Sequence, residues 1–255
     1  MLYPRVIPVL LFKDGGLVKT IKFQSPIYIG DPINAVKIFN DKEVDEVIFL
    51  DITKSRLQVE PNYSLIEEIS NECFVPFAYG GSVNSIASIK KIFKLGAEKV
   101  IINSAAFKNP HLITEASLIF GSQSIVVSID YKKNIFGHNK VYIESGKRST
   151  RISPLEYAMN MQELGAGELY VNSIDKEGTR SGYDIDVLSE ITSAVSIPVI
   201  ASGGADNIYD MKEAIERANV SAVSAGTMFV YYGKKNGVLI NYPNRSDIIS
   251  LLTNK

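Results

Sequence analysis

Short apolar runs alternate eight times with stretches of helical periodicity, and this alternation limits the folds that are open to the chain. The runs are continuously apolar, which is typical of strands covered on both faces. They occupy residues 5–11, 46–52, 74–80, 99–105, 124–130, 168–174, 197–203 and 220–226. The amphipathic segments follow at 31–42, 62–72, 84–96, 109–121, 153–165, 184–195, 206–218 and 245–255. Eight strands, each followed by a helix, predict a (β/α)8 TIM barrel.

A doubly wound open sheet is the alternative fold, because it also alternates strands and helices. It would need a Gly-rich fingerprint after the first strand, and the KDGG turn at 13–16 lacks the G-x-G-x-x-G spacing. Since no linker or low-complexity segment divides the chain, we predict a single barrel domain over residues 1–255. One long insertion, residues 131–152, contains a hairpin-like segment and is expected to overhang the barrel mouth.

Composition excludes several classes of partner and location. The net charge is -1 and no basic block occurs, so we expect no nucleic acid partner. Cys73 is the single cysteine and no signal peptide is evident, which predicts a cytoplasmic protein. The N-terminal apolar run is too short to span a membrane. His111 and His138 lack partners at metal-ligand spacing, so we predict neither a metal site nor a cofactor.

The two halves of the chain resemble each other, which predicts an internal half-barrel repeat. Three pairs of segments match: 78–82 with 201–205, 102–107 with 224–229, and 10–13 with 129–132. In the last pair, Leu11 at the end of strand one takes the place that Asp130 has at the end of strand five. A mouth that could carry two opposed carboxylates therefore carries one.

Asp130 is the predicted catalytic residue, because a charged side chain at the carboxyl end of a buried barrel strand faces the active site. Pairing with a lysine or capping of a loop is the alternative. Asp51 and Asp175 end strands two and six, and they are candidates either for ligand contact or for structural hydrogen bonds. Lys13 and Lys19 could reach the mouth or remain solvated.

Small residues mark two candidate phosphate sites where loops meet helix N-termini. Glycine permits close backbone approach, and free N–H groups together with the helix dipole favour an anion. Tight turns are the alternative reason for these glycines, but two matching sites favour a ligand with phosphate at both ends. The residues are Gly80, Gly81, Ser82, Asn103 and Ser104 in the first half, and Gly203, Gly204, Ala205, Gly226 and Thr227 in the second.

Charged residues open four of the strands and are expected to meet at the bottom of the barrel. They are Arg5, Glu46, Lys99 and Glu168. A stabilising charge ring is one interpretation, because residues on the bottom face usually serve stability. A gate on an axial passage is the other.

Several motifs together resemble the cyclase subunits of imidazole glycerol phosphate synthase, in the histidine biosynthesis barrel family. These motifs are DGGLVK, GDP, FLDIT, GGS, INSAA, FGSQSIVVSID, SIDKEGTRSGYD and IASGGA, and the similarity runs nearly end to end. The resemblance implies a barrel that binds a doubly phosphorylated ligand at the top. It also implies a glutaminase subunit that docks at the bottom as a heterodimer partner and feeds ammonia through the axis.

The resemblance also assigns roles to individual residues. It implies that Arg5, Glu46, Lys99 and Glu168 form the gate, that Lys19 contacts the ligand and that Asp130 is the second catalytic aspartate. It places phosphate contacts at Ser82, Asn103 and Ser104 on one side, and at Gly178, Gly204, Gly226 and Thr227 on the other. Two departures stand out: Glu177 replaces a usual aspartate, and Leu11 replaces the first catalytic aspartate.

Three functional hypotheses follow from these departures. The first is a barrel that passes ammonia from a glutaminase to an ATP-dependent sugar amidotransferase, because the chain resembles a branch that makes acetamidino sugars for bacterial surface polysaccharides. The second is an active cyclase of histidine biosynthesis. The third is a scaffold that binds a phosphosugar without catalysis.

Overall fold

The computed structural model describes residues 3–53, 60–233, 236–244, 246 and 248, and the predicted helix at 245–255 lies almost wholly outside them. The described strands are β1 Arg5–Lys13, β2 Gly16–Ile21, β3 Gln24–Gly30, β4 Val47–Asp51, β5 Phe77–Gly80, β6 Lys99–Ile102, β7 Ile125–Lys133, β8 Asn139–Ile143, β9 Arg148–Ser149, β10 Glu168–Ser173, β11 Val199–Ser202, β12 Ala222–Ala225, β13 Tyr231–Tyr232 and β14 Gly237–Val238. The described helices are α1 Pro32–Asp41, α2 Tyr63–Glu72, α3 Ile86–Lys94, α4 Ser104–Lys108, α5 His111–Phe120, α6 Pro154–Glu163, α7 Ile185–Ala194, α8 Ile208–Ala218 and α9 Thr227–Val230.

Eight parallel strands close into a barrel, so the predicted (β/α)8 fold is confirmed. The strand order is β1, β4, β5, β6, β7, β10, β11 and β12, and β12 pairs with β1 to complete the circle. Closure leaves the barrel without a free sheet edge. All eight strands run the same way, so their carboxyl ends meet at one rim, which is the mouth described below.

Alternate residues on each strand supply two separate apolar clusters. The outer one packs the strands against the surrounding helices. The inner one fills the barrel axis and consists of Ile7, Val9, Leu11, Val18, Ile48, Ala78, Ile101, Val126, Tyr170, Ile200 and Ala222. Because both faces of every barrel strand are covered, the strands appear in the sequence as unbroken apolar runs.

Two hairpins extend from the mouth, one in each half of the barrel. The predicted hairpin in residues 131–152 is present, since β7 continues into antiparallel pairing with β8. The prediction of one long insertion was wrong, because β2 and β3 form a second hairpin over Gly16–Gly30. Its turn holds Lys22 and Phe23 at φ 52° and 63°, a conformation that Asn-Gly usually provides. The sequence therefore lacks the glycine that would have marked this turn.

Hydrogen bonds show that the two half-barrels share one register. The Ile52 amide donates to the Phe12 carbonyl at 2.9 Å, and the Ile174 amide donates to the Tyr131 carbonyl at 2.8 Å. These equivalent bonds align Phe12 with Tyr131, and therefore Leu11 with Asp130. No helix in the described ranges is both long and apolar enough to span a membrane.

Candidate functional site

Asp130 lies at the mouth within a set of hydrogen-bond donors. Its carboxylate accepts from Asn103 Nδ2 at 3.0 Å, from Ser128 Oγ at 3.3 Å and from Asn172 Nδ2 at 3.3 Å. Burial raises the pKa of the Asp130 carboxyl to about 7, although the three hydrogen bonds act to lower it. A carboxyl that titrates near neutral pH can both give and take a proton, as general acid–base chemistry requires.

Leu11 occupies the equivalent position in the first half and has apolar surroundings. It pairs with Leu50 on β4 and with Val18 on β2, and its side chain is 8% exposed. The residues equivalent to Ser128 and Asn172 are Val9 and Leu50, so the donors around Asp130 are replaced as well. The first half of the mouth therefore lacks two of the three donors that surround Asp130, and not the carboxylate alone.

Lys19, on β2, is buried, and its ammonium group lies beside Gly226 at the start of α9. Its Nζ donates to the Val9 carbonyl at 3.1 Å, and a Cβ atom added to Gly226 would lie 1.7 Å from that Nζ. Burial lowers the pKa of Lys19 to about 8, while nearby Glu177 acts to raise it. Glycine at 226 is required because the ammonium group occupies the space of a side chain.

Close backbone contacts explain the glycines of the second half. A Cβ added to Gly178 would lie 2.4 Å from the Thr20 carbonyl oxygen. A Cβ added to Gly203 would lie 2.6 Å from the Ser173 carbonyl oxygen, and one added to Gly204 would lie 2.2 Å from the Gly182 carbonyl oxygen. Thr227 follows Gly226 as the first residue of α9. The tight-turn interpretation is thus supported for these glycines, and phosphate binding at the same loops stays a prediction.

The first-half candidates are arranged in the same way. Gly81 packs on Asp51, whose carbonyl oxygen would lie 2.6 Å from an added Cβ, and Ser82 adopts φ 55°. Asn103 bonds Asp130 and accepts from Ser104 Oγ at 3.1 Å. Asn103 and Ser104 therefore sit beside Asp130, at the start of α4.

The two other strand-end carboxylates make structural hydrogen bonds. Asp51 accepts from the Thr53 amide at 2.9 Å and from the Tyr79 hydroxyl at 3.5 Å. Asp175 accepts from the Lys133 amide at 2.9 Å and so ties the loop after β10 to the β7–β8 hairpin. Both carboxylates thus make hydrogen bonds within the protein, and ligand contact at either one stays a prediction. The Lys13 side chain is partly exposed, and its Nζ lies 3.9 Å from Asp14 Oδ2.

The four charged residues at the strand starts meet at the bottom of the barrel, as predicted; we call them the charge ring. Arg5 hydrogen-bonds both Glu46 and Glu168. Lys99 Nζ lies 3.1 Å from Glu46 and 2.8 Å from Glu168, so each cation contacts both carboxylates. The two glutamate side chains are 5% exposed, and the ring closes the axis from below with no net charge.

Four polar residues of the barrel interior were missed from the sequence. They are Ser128, Asn172, Ser202 and Ser224, all buried. Each stands two residues from another inward-facing position on its strand, so the period of two in a β-strand is the signal that could have found them. Among the described residues, no group of three or more His, Cys, Asp or Glu side chains could hold a metal ion.

Comparisons with known proteins identify a family and several relatives. A sequence profile of the histidine biosynthesis protein family matches residues 5–236. A Pseudomonas aeruginosa protein, provisionally named imidazole glycerol phosphate synthase subunit hisF2, is 52% identical over 97% of this chain and 100% of its own length. A Vibrio vulnificus protein, provisionally named subunit hisF3 of the same synthase, is 44% identical over 97% of this chain and 95% of its own length. The imidazole glycerol phosphate synthase subunit HisF of Lactococcus lactis is 43% identical over 91% of this chain and 90% of its own length.

Proposed function

The chain belongs to the histidine biosynthesis protein family, and on this premise we propose that it is the barrel subunit of a glutamine amidotransferase complex. A glutaminase subunit docks at the bottom face, and ammonia passes the charge ring and moves along the barrel axis to the mouth. Cyclase chemistry is lost, and the ammonia is used to amidate an N-acetylated sugar of a bacterial surface polysaccharide. An ATP-dependent sugar amidotransferase in the cytoplasm is the final user.

The combination of a complete charge ring with an incomplete mouth carries this proposal. The ring places two cations between two buried carboxylates across strands β1, β4, β6 and β10. At the other end, Leu11 stands where a second proton-transfer group is expected, and a well-placed acid or base contributes about 10²–10⁴-fold to a rate. The chain therefore has the charged residues that suit ammonia entry and lacks an acid–base group that suits closure of an imidazole ring.

The relatives named hisF2, hisF3 and HisF are all named as subunits of the same synthase, so they support the barrel-subunit part of the proposal and do not bear on the acceptor. In the proposed role, the mouth glycines and Lys19 hold a phosphorylated ligand or a remnant of that site.

An active synthase subunit of histidine biosynthesis is the second candidate. Asp130 favours it, because its pKa near neutrality suits acid–base work and its donors Asn103, Ser128 and Asn172 are in place. Complementation of a histidine auxotroph that lacks the cyclase subunit separates the two candidates. We expect no growth despite soluble protein, and robust growth would overturn the ammonia-supply proposal.

Lys99→Met tests the gate directly in the complex with the glutaminase. We expect glutamine-dependent product formation to fall, while formation from free ammonium salts stays unchanged, because only the first route crosses the ring. An equal effect on both routes would remove the gate. A phosphosugar scaffold, the third hypothesis, predicts binding of a bis-phosphorylated ligand by calorimetry in the absence of any ammonia transfer.

A further inference from the structure

The tip of the β7–β8 hairpin presents two large apolar side chains to solvent beside the barrel mouth. Ile135 is 92% exposed, the highest value for a large apolar side chain in the described ranges, and Phe136 is 76% exposed. The Asn134 amide donates to the His138 carbonyl at 2.9 Å, and Asn134 Oδ1 accepts from the Phe136 amide at 2.9 Å. The turn is therefore closed by its own hydrogen bonds, and it holds Ile135 and Phe136 away from the core.

Positive charge surrounds this tip. Residues 131–152 contain six Lys or Arg residues and one Glu, although the whole chain has a net charge of -1. Glu144 Oε1 lies 2.7 Å from Lys108 Nζ and 3.8 Å from Arg148 Nη1, so these cations already offset its charge. The insertion is therefore strongly basic in a chain that is otherwise acidic. Its basic residues are Lys132, Lys133, Lys140, Lys147, Arg148 and Arg151.

The strand register places two of these lysines directly opposite each other. Lys132 on β7 pairs with Lys140 on β8, whereas the adjacent pair, Tyr131 and Val141, lies on the opposite face and is buried. Like charges in such a cross-strand pair are destabilising by themselves. Lys132 Nζ lies 4.4 Å from the centroid of the Tyr142 ring, which keeps the ammonium group on the outward face. That face is therefore positively charged, and an acidic partner surface would relieve the repulsion.

The hairpin stands beside the mouth because β7 continues into it from Asp130. Ile135 follows Asp130 by five positions, which corresponds to about 16–17 Å of extended strand. The Asp175 carboxylate accepts from the Lys133 amide at 2.9 Å and so ties the base of the hairpin to the loop after β10. A protein that binds the tip is thus held next to the place where the proposed function delivers ammonia.

We propose that the β7–β8 hairpin is the docking site for an acidic face of the ATP-dependent sugar amidotransferase. This inference rests on the proposed function, which needs the enzyme that uses ammonia to lie at the mouth. Ile135 and Phe136 enter an apolar pocket of the partner, and Lys133 and Lys140 face carboxylates around that pocket. An apolar centre within a polar rim is the usual arrangement of a specific protein interface.

A protein occupant agrees with these observations better than a membrane or a nucleic acid does. An anionic membrane would also attract the lysines and admit the apolar tip. Lipid at this position would, however, cover the mouth and separate Asp130 from any soluble acceptor. A nucleic acid would bind the basic residues through its phosphates, but it offers no pocket for Ile135.

Binding of the purified amidotransferase from the same organism to the full chain tests the docking site by interferometry. We expect Ile135→Ser with Phe136→Ser to weaken binding by about tenfold or more, because a few anchor side chains dominate such interfaces. Leu118→Ser with Ile119→Ser is the matched control, since these adjacent apolar residues are also exposed but lie on α5, and it should bind like wild type. Absence of binding, or equal binding by wild type and the tip variant, would overturn the docking site.

Charge reversal tests the acidic character of the partner surface. We expect Lys133→Glu with Lys140→Glu to weaken binding by about tenfold, and Lys90→Glu with Lys94→Glu on α3 to leave it unchanged. The affinity of wild type should also fall as sodium chloride rises from about 0.05 to about 0.5 M, because salt screens exposed charges. Binding that responds neither to the reversal nor to salt would contradict an acidic partner surface.

The isolated chain tests the other occupants. Sedimentation with vesicles of phosphatidylglycerol and phosphatidylcholine tests a lipid surface, a DNA duplex tests nucleic acid, and ultracentrifugation of the chain alone tests a second copy. We expect none of these to show association that the tip variant abolishes. Any one that does would assign the tip to that occupant and overturn the proposal.

A mixture of the chain, the glutaminase and the amidotransferase separates this inference from the proposed function. We expect the tip variant to lower glutamine-dependent amidation of the sugar, while amidation from free ammonium salts stays unchanged. If wild type gives no glutamine-dependent amidation, the proposed function fails, whereas binding that depends on the hairpin would still establish the docking site. Amidation by wild type with an equally active tip variant contradicts the docking site alone.

Discussion

At the scale of single residues, Asp130 and Leu11 show that the surrounding side chains determine which residue a barrel position can hold. Both end a barrel strand at equivalent positions, and both face the axis. Asp130 has amide and hydroxyl donors from three strands or loops, whereas Leu11 has Val18 and Leu50. A carboxyl is tolerated in the interior only where such donors compensate its loss of water.

Stability should depend on pH through Asp130. The unfolded chain ionises this carboxyl near 3.8, whereas the folded chain does so at about 7. Between these values unfolding releases a proton, so the contribution present at low pH is lost as the pH rises to about 7. The free energy of unfolding of Asp130→Asn, relative to wild type, should therefore increase over this range by a few kcal/mol, at about 1.4 kcal/mol per pKa unit. Urea unfolding measures it, and a difference independent of pH would contradict the raised pKa.

Leu11→Asp should not restore cyclase activity by itself. The new carboxyl would be buried beside Val9 and Leu50 without the side-chain donors that Ser128 and Asn172 give Asp130, and we expect a loss of about 2–5 kcal/mol in the free energy of unfolding. The triple variant Leu11→Asp, Val9→Ser, Leu50→Asn supplies the counterparts of these two donors and should recover part of that stability. Denaturant unfolding and ammonia-dependent turnover measure both effects. Turnover by the single variant would show that the carboxylate alone was missing.

At the scale of elements, the β2–β3 hairpin is fixed by the other half of the barrel. The Lys22 amide donates to the Glu177 carbonyl at 2.9 Å, and the Thr20 carbonyl approaches Gly178 too closely for a side chain. At the hairpin turn, Phe23 packs 3.2 Å from where a Cβ of Gly146 would lie. The hairpin therefore crosses from the first half to the second and carries Lys19 to the mouth.

Gly178→Ala should detach this hairpin. Its Cβ would lie 2.4 Å from the Thr20 carbonyl oxygen, at a backbone φ of 74°. Gly182→Ala is the matched control, because φ is 73° there but the nearest atom lies 3.5 Å away. We expect trypsin to cleave after the exposed Lys22 severalfold faster in Gly178→Ala than in Gly182→Ala. Equal rates would mean that backbone strain, and not the contact, determines the effect.

At the scale of the whole molecule, the charge ring joins strands that are far apart in the sequence. Arg5 and Glu168 are separated by 163 positions and still form a direct bond. Each buried carboxylate needs both cations nearby, since leaving an uncompensated charge in a buried pair costs about 3–5 kcal/mol. Removal of one member of the ring is therefore expected to destabilise the fold, whether or not the ring also gates ammonia.

Lys99→Met should lower the free energy of unfolding by up to about 3–5 kcal/mol, because Arg5 alone then faces two buried carboxylates. Adding Glu168→Gln restores the charge balance and should recover much of the loss. Lys37→Met is the control, as its ion pair with Glu72 is exposed and such pairs contribute about 0–1 kcal/mol. Denaturant unfolding of the three variants provides the comparison, and equal losses for Lys99→Met and Lys37→Met would contradict a buried ring.

The sequence by itself determined the barrel, the order of its elements and the equivalence of Leu11 with Asp130. Strand and helix periods are local, and the repeat is visible in short matching segments, so these features need no knowledge of distant contacts. Only the tertiary structure decided which groups meet. The β2–β3 hairpin, the donors around Asp130 and the pairing of Tyr170 with Ser202 depend on strand register and barrel closure. Those arrangements join residues tens of positions apart, and no local pattern specifies them.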